Sequence, residues 1–365
     1  MAQTMIKDIR ALTGVRGVAA VIIMLYHFSD VRLYSGDVRV YFKVPHGYLP
    51  VDLFFMLSGF VIALVYRDAF TIAPLPNYLD FWIKRVARLY PAYLAIGVLY
   101  VVKIALGLSG ETFDQFSLFD GVGNLLMLSG WGLHIHPVIG VAWAASAEMG
   151  SYVLAPLLIT FIVRGNFAFG IIAVGLSLLA IRMIETSGLG GSGPLDVTSG
   201  DSFYPLLRAI AGFAIGQAIF RFSVSVRPLP MVFQDILVVL ILLAIAAAAV
   251  VSTADLPVYL LFIPLVAVLS YDGRLARLLF ANGLVYDIGL ISYSLYLLHP
   301  LFVSFAVRGS RHFGDTEGSY LVSMFICMAL IWLLSKLSYR FVEMPARKAI
   351  VEFLSPKKVL STRSS

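Results

Sequence analysis

The sequence predicts an all-α, polytopic membrane protein with about ten transmembrane helices and both termini in the cytoplasm. Three observations carry this prediction. Hydrophobic residues make up 60% of the 365-residue chain and charged residues 13%, with a mean hydropathy of +0.90, whereas a soluble domain carries about 25% charged residues. Apolar runs of spanning length recur along the whole chain. Lys and Arg gather on alternate loops, as the positive-inside rule expects.

The apolar runs cover residues 11–28, 51–66, 89–108, 141–163, 167–184, 203–220, 232–251, 256–270, 284–307 and 319–339. The eighth is short. With both termini inside, the inner segments hold Lys7, Arg10, Arg67, Lys84, Arg85, Arg88, Arg164, Arg221, Arg227, Arg274 and Arg277, and the C-terminal end adds six more. The outer segments hold only Arg32, Arg39, Lys43, Arg308 and Arg311. Residues 116–131 are apolar but short and broken by Gly121, Gly123 and Asn124, which suits a re-entrant or interfacial piece. Had they spanned, every later loop would change sides and the basic tail would face outward.

Several function classes drop out at this stage. The net charge of +6 follows from membrane topology and needs no nucleic acid. The single cysteine, Cys327, permits no intrachain disulfide and lies in an apolar run. HFSD after the first run offers no small-residue cleavage site, so that run is expected to remain as a helix. The glycines of GLGGSG, Gly188 to Gly193, match a dinucleotide fingerprint by letter but follow a membrane helix and open none; the stretch reads as a flexible linker. His134 and His136 have no further ligands nearby in sequence, and no metal is expected. Residues 349–365 read as a short, basic, disordered cytoplasmic tail, with no soluble domain attached.

The chemistry-bearing residues sit within these runs. Arg16 and His27 both lie in the first helix, eleven residues apart. Eleven residues turn through about 1100°, so the two share a face about 20° wide and stand about 16 Å apart along the axis. Ionisable groups on one stripe of a spanning helix point to a polar interior, although a snorkelling Arg16 and a hydrogen-bonded His27 would explain them as well. His27 is the best proton-transfer candidate, since imidazole titrates near neutrality. Asp52, in GYLPVDLFFMLSGF, occupies a first helical turn, where the dipole alone would favour a carboxylate, and Ser58 with Gly59 would admit a neighbouring helix. Lys84, Arg85 and Arg88 enter the third helix, where they suit phosphate oxygens or a simple topology anchor. Trp143 and Glu148, in WAASAE, put an acid near a helix end that needs a partner or water. Tyr293, Tyr296 and His299, in ISYSLYLLHP, share the ninth helix with Pro300, which frees a backbone carbonyl.

Taken together, these motifs resemble the acyltransferase-3 family of bacterial integral-membrane acyltransferases, over residues 10–348. The family's Arg-x10-His pair falls on Arg16 and His27, and its G-x3-V-D-x-F-F-x-x-S-G-F stretch on Gly47 to Phe60. Its R-R-x-x-R-x-x-P signature falls on Lys84, Arg85, Arg88 and Pro91, with lysine at the first position. Its W-S-L-x-x-E element falls on Trp143 and Glu148, with Ala144 and Ala145 between. Its S-Y-x-x-Y-L-x-H-P element falls on Ser292, Tyr293, Tyr296, His299 and Pro300.

The resemblance implies ten spanning helices in the inner membrane and transfer of an acyl group, most often acetyl from acetyl-CoA, to a hydroxyl of an envelope or exported glycan or glycolipid. It implies that His27 is catalytic and that Arg16 belongs to the same site. On this reading Asp52 or Glu148 orients the imidazole, and Lys84, Arg85 and Arg88 bind CoA phosphates. Acetyl-CoA is then a substrate, with no tightly bound cofactor. A small-solute or lipid-linked glycan transporter would also bury charge near the midplane, but inverted repeats would favour it and none is visible. A membrane scaffold would need no aligned Arg16 and His27.

Overall fold

A computed structural model describes residues 8–29, 42–72, 74–198, 200–314 and 316–355. Lys7, Arg32, Arg39 and the tail from residue 356 onward lie outside the described residues. Within them the chain is all-helical: α1 (Arg10–Ser29), α2 (Pro50–Tyr66), α3 (Pro74–Ala105), α4 (Leu118–Leu125), α5 (Trp143–Leu158), α6 (Phe167–Glu185), α7 (Tyr204–Ser225), α8 (Met231–Val251), α9 (Leu256–Leu269), α10 (Arg274–Phe280), α11 (Gly283–His312), α12 (Glu317–Ser338) and α13 (Met344–Leu354). Single π turns extend α5 through Val163 and join α12 to α13.

Among the described residues, eight helical segments are long and apolar enough to cross a bilayer. Helices α9 and α10 pass that test only as a pair, bent by 111° at their junction. Helix α2, with 17 residues, is apolar but shorter than the eight. The chain is a multi-pass membrane protein, and eight of the ten expected runs coincide with helices of spanning length. Residues 116–131 contain only the eight-residue α4, far too short to span. Ser117 and Asp120 cap it reciprocally, and Asp120 also accepts from the His136 amide at 2.6 Å, so the segment folds against its own loop.

Helix α11 is central, with 72% of its apolar window buried, whereas α8 has 17% and faces outward. The principal pairings are α1 on α11, α2 on α7 and α11 on α12. Small residues make the first two possible. Gly17 meets Gly289 so closely that a Cβ on Gly17 would stand 2.6 Å from the Gly289 amide nitrogen. Any side chain on Gly59 would run into the Phe213 carbonyl, and one on Gly216 into that of Met56. Without a hydrophobic drive between helices in lipid, such close backbone approach is what dispersion requires.

Two expectations need correction. GLGGSG is no free linker. Gly191 N–H donates to the Asp196 carbonyl at 3.0 Å, Ser192 N–H to the Asp196 carboxylate at 3.0 Å, and the Tyr48 ring lies against Gly193. Its glycines allow this close packing. The last helix also runs to Leu354, six residues beyond the boundary at 348. No glycine breaks MPARKAIVEFL, and α13 packs along α3.

We expect Gly17→Val and Gly289→Val each to lower the thermal midpoint in nanodiscs, by an overpacking cost of about 1–3 kcal/mol. A valine at Gly175, which has nothing within 4 Å, should leave the midpoint within about 1 °C. Equal midpoints for all three variants would contradict the close α1–α11 approach.

Candidate active site

The α1–α11 contact brings His27 to His299. Their rings stand 4.7 Å apart between centroids, and His27 Nδ1 lies 3.1 Å from His299 Nε2. His27 Nδ1 also lies 2.9 Å from the Ile23 carbonyl oxygen. A carbonyl can only accept, so Nδ1 of His27 carries a proton. His299 Nε2 then accepts, which leaves the His299 proton on Nδ1. That atom makes no regular hydrogen bond but faces the Leu295 and Tyr296 carbonyls. Pro300 leaves the Tyr296 carbonyl without its helical donor.

Neither carboxylate suggested by the sequence orients this imidazole. Both Asp52 oxygens are taken by Arg208 of α7, at 2.7 Å from Nε and 2.6 Å from Nη2, and both side chains are fully buried. Arg208 Nη1 donates at 2.5 Å to the Leu195 carbonyl, and its guanidinium sits 5.5 Å from the Trp143 ring centroid. Glu148 accepts from the Tyr152 hydroxyl at 2.6 Å, and Ser58 lies 3.1 Å from that same hydroxyl. The sequence signal for Arg208 was present, a lone arginine inside an apolar run, but its partner stands 156 residues away.

The site residues divide among three cavities. One of about 680 Å³, labelled outer because it lies at the His27 end of α1, away from the basic segments, contains His27, Trp143, Tyr26, Lys103 and Arg308 in its walls. One of about 270 Å³ opens at the opposite end of α1, between Asp8, Arg16, Arg88, Tyr293, Glu343 and Arg347. Between them a space of about 40 Å³ is bounded by Arg16, Glu148, Ser292, Tyr293 and Tyr296. Arg16, Ser292 and Tyr293 belong to both inner spaces. Arg16 Nε and the Tyr293 hydroxyl are buried there without a hydrogen-bond partner among the described residues. Tyr296 donates to the Val141 carbonyl at 2.9 Å, which ties α11 to the start of α5.

The basic trio of α3 separates. Lys84 pairs with Asp80 at 2.5 Å, and Arg85 is wedged about 6 Å from the rings of Tyr66, Phe81 and Tyr152. Of the three, Arg88 lines the inner cavity, with Arg347 from the far end of the sequence. Glu343 also enters it, accepting from Ser294 at 2.6 Å across the π turn. Among the described residues no group of three or more His, Cys, Asp or Glu is placed to hold a metal ion.

The acyltransferase-domain profile of Acyl_transf_3 matches residues 9–336. The chain belongs to the acyltransferase-3 family. It is 26% identical over 379 residues to the O-acetyltransferase OatA of Staphylococcus aureus (strain NCTC 8325 / PS 47), covering 92% of this chain and 57% of that protein. It is 24% identical over 376 residues to SACOL0978 of S. aureus (strain COL), whose name as an O-acetyltransferase is provisional, covering 96% and 59%. The acyltransferase MdmB of Streptomyces mycarofaciens is 30% identical over 155 residues, 40% of this chain and 38% of that protein. The chain thus spans under two thirds of the length of these relatives. No solved structure matches it.

Arg208→Ala should strand the Asp52 carboxylate in the bundle, a loss of about 3–5 kcal/mol, and collapse the folded yield in detergent. Asp52→Leu combined with Arg208→Met removes both charges and should recover much of that yield. A double variant no better folded than Arg208→Ala would argue against charge stranding as the cause.

Proposed function

We propose that this protein is an inner-membrane O-acyltransferase that moves an acetyl group from acetyl-CoA to a hydroxyl of an envelope or exported glycan or glycolipid. The carrying observation is the disposition of α1. His27 faces the outer cavity, and Arg16, on the same helix, faces the inner one beside Arg88. The acyltransferase-3 membership and the O-acetyltransferase names of long-range relatives such as OatA support the reaction class. With both termini in the cytoplasm, the inner cavity would admit the donor and the outer one the acceptor.

In this reading His27 Nε2 takes the proton from the acceptor hydroxyl, whose oxygen attacks the thioester carbonyl. The tetrahedral adduct collapses, the carbon–sulfur bond breaks, and the CoA thiolate leaves and is protonated by the imidazolium. His299 is a positioning residue that holds the His27 tautomer. The rise of about 16 Å between Arg16 and His27 favours Arg16 as a hold on the pantetheine arm over a role at the reacting carbonyl. Glu148 and Tyr293 would flank that arm, and Arg88 would meet CoA phosphate oxygens. Lys84 and Arg85, engaged with Asp80 and with aromatic rings, would act on α3 and leave the donor to Arg88. Asp52 would support the acceptor side through Arg208 and Trp143.

The test is purified protein in detergent with labelled acetyl-CoA and a panel of glycan acceptors. Label transferred to an acceptor supports the enzyme. Transport of donor or acceptor in vesicles without transfer would replace it with the transporter. His27→Ala should abolish transfer at normal expression. His299→Ala should cost about 10–100-fold in kcat and move the pH–rate profile, because the base loses its fixed tautomer. Full activity in a correctly inserted His27→Ala would end the base assignment.

The donor side makes a separate prediction. Arg88→Ala should raise the KM for acetyl-CoA about tenfold with little change in the acceptor KM, while Lys84→Ala should leave both within about twofold. Equal effects of the two substitutions would reduce Arg88 to a topology anchor.

A further inference from the structure

Two cations of the outer cavity, Lys103 and Arg308, are held by neutral oxygens. Lys103, in the last turn of α3, projects into it from an apolar helix and donates to the Ser304 hydroxyl at 3.0 Å. Arg308, on α11, donates to the Leu108 carbonyl at 3.0 Å. Among the described residues neither cation has a carboxylate within salt-bridge distance. Arg311, one turn beyond Arg308, lines the same space.

The two acids of the cavity are turned to other partners. Glu111 stands 3.7 Å from His136. Asp196 accepts from Tyr26 at 3.4 Å and from the Ser192 amide at 3.0 Å.

The placement of these cations runs against topology. On the side opposite the basic segments the loops are poor in Lys and Arg, and a charge on a spanning helix is costly to keep. Yet two of the few cations there, with Lys103, converge on the space that contains His27. A lysine bonded only to a hydroxyl and an arginine bonded only to a carbonyl retain most of their attraction for an anion, and low-dielectric walls strengthen it.

We propose that the outer cavity selects an anionic acceptor, a sugar bearing a phosphate or a carboxylate, which Lys103 and Arg308 hold while a neighbouring hydroxyl meets His27. This deepens the acyl-transfer reading and rests on it for the identity of the step. It adds the charge class of the acceptor and two residues that set it. The salt dependence follows: exposed Arg308 should be screened readily, the half-buried Lys103 less.

The experiment compares matched acceptors on the full-length protein in nanodiscs. The pairs are N-acetylglucosamine with N-acetylglucosamine 1-phosphate, and glucose with glucuronic acid. We expect kcat/KM for the anionic member of at least one pair to exceed its neutral partner about tenfold at low salt, a difference of about 1.4 kcal/mol. The pair that responds separates phosphate from carboxylate. In the Lys103→Gln/Arg308→Gln variant the ratio should fall below about twofold, and Lys103→Arg should restore it in part. Equal rates within both pairs, or a ratio that survives in the double variant, would overturn the proposal.

A second readout needs no turnover. Thermal stabilisation by N-acetylglucosamine 1-phosphate or glucuronic acid, beyond that by the neutral sugars, should appear in the wild type and vanish in the double variant. If no acceptor is acetylated but this difference persists, the acyl-transfer reading fails and the anion site stands. If the difference is absent as well, the anion site fails.

Discussion

The buried Asp52–Arg208 ion pair is the contact on which the outer half of the bundle depends. Two charges removed from water must compensate each other and satisfy their remaining hydrogen-bonding groups. Here Asp52 gives both oxygens to Arg208, and Arg208 gives its third nitrogen to the Leu195 carbonyl. Leu195 in turn donates its amide to Asp255 at 2.6 Å, and Asp255 accepts from Tyr48 at 2.5 Å and faces His46 at 2.6 Å. Glu185 closes the network by accepting the amides of Asp255 and Leu256, each at 2.9 Å. One pair therefore anchors α2 to α7, draws the loop after α6 across the end of the bundle, and fixes the entrance of α9. Trp143, over the guanidinium, passes that rigidity to a wall of the outer cavity.

Composition and periodicity were enough to read the helices, because lipid permits few alternatives: a long apolar run must satisfy its backbone internally. The alignment of Arg16 and His27 on one stripe was legible for the same reason, as a consequence of 3.6 residues per turn. What one helix could not reveal was its partner. His27 meets His299 across 272 residues, and Asp52 meets Arg208 across 156, and neither distance leaves a trace in local sequence. The loop containing GLGGSG was misread because glycine signals freedom in an unbonded chain, whereas here it lets Tyr48 and Asp196 press against the backbone. The separation of Lys84, Arg85 and Arg88 into three environments was equally hidden, since their sequence spacing says only that they share a helix end.

The two ends of α1 face different kinds of space. At one end Arg16, Arg88 and Arg347 surround a cavity into which Glu343 also projects, and at the other His27 faces a larger chamber. The small volume between them is bounded by aromatic rings, by Arg16 and by Glu148.

On the proposed acyl-transfer reading, the placement of His299 beside His27 has a rationale in the same dielectric reasoning. A carboxylate there would add a charge to an apolar wall and would stabilise the imidazolium after proton uptake. The proton would then be slow to return to the departing thiolate. On that reading His299 would fix the tautomer through its 3.1 Å contact with His27 Nδ1, and Pro300 leaves a carbonyl open beside His299. The acid in Gly47–Phe60 is thereby left for Arg208, where its charge is fully matched. The bundle thus spends the Asp52 and Arg208 charges on architecture and leaves His27 beside a second imidazole.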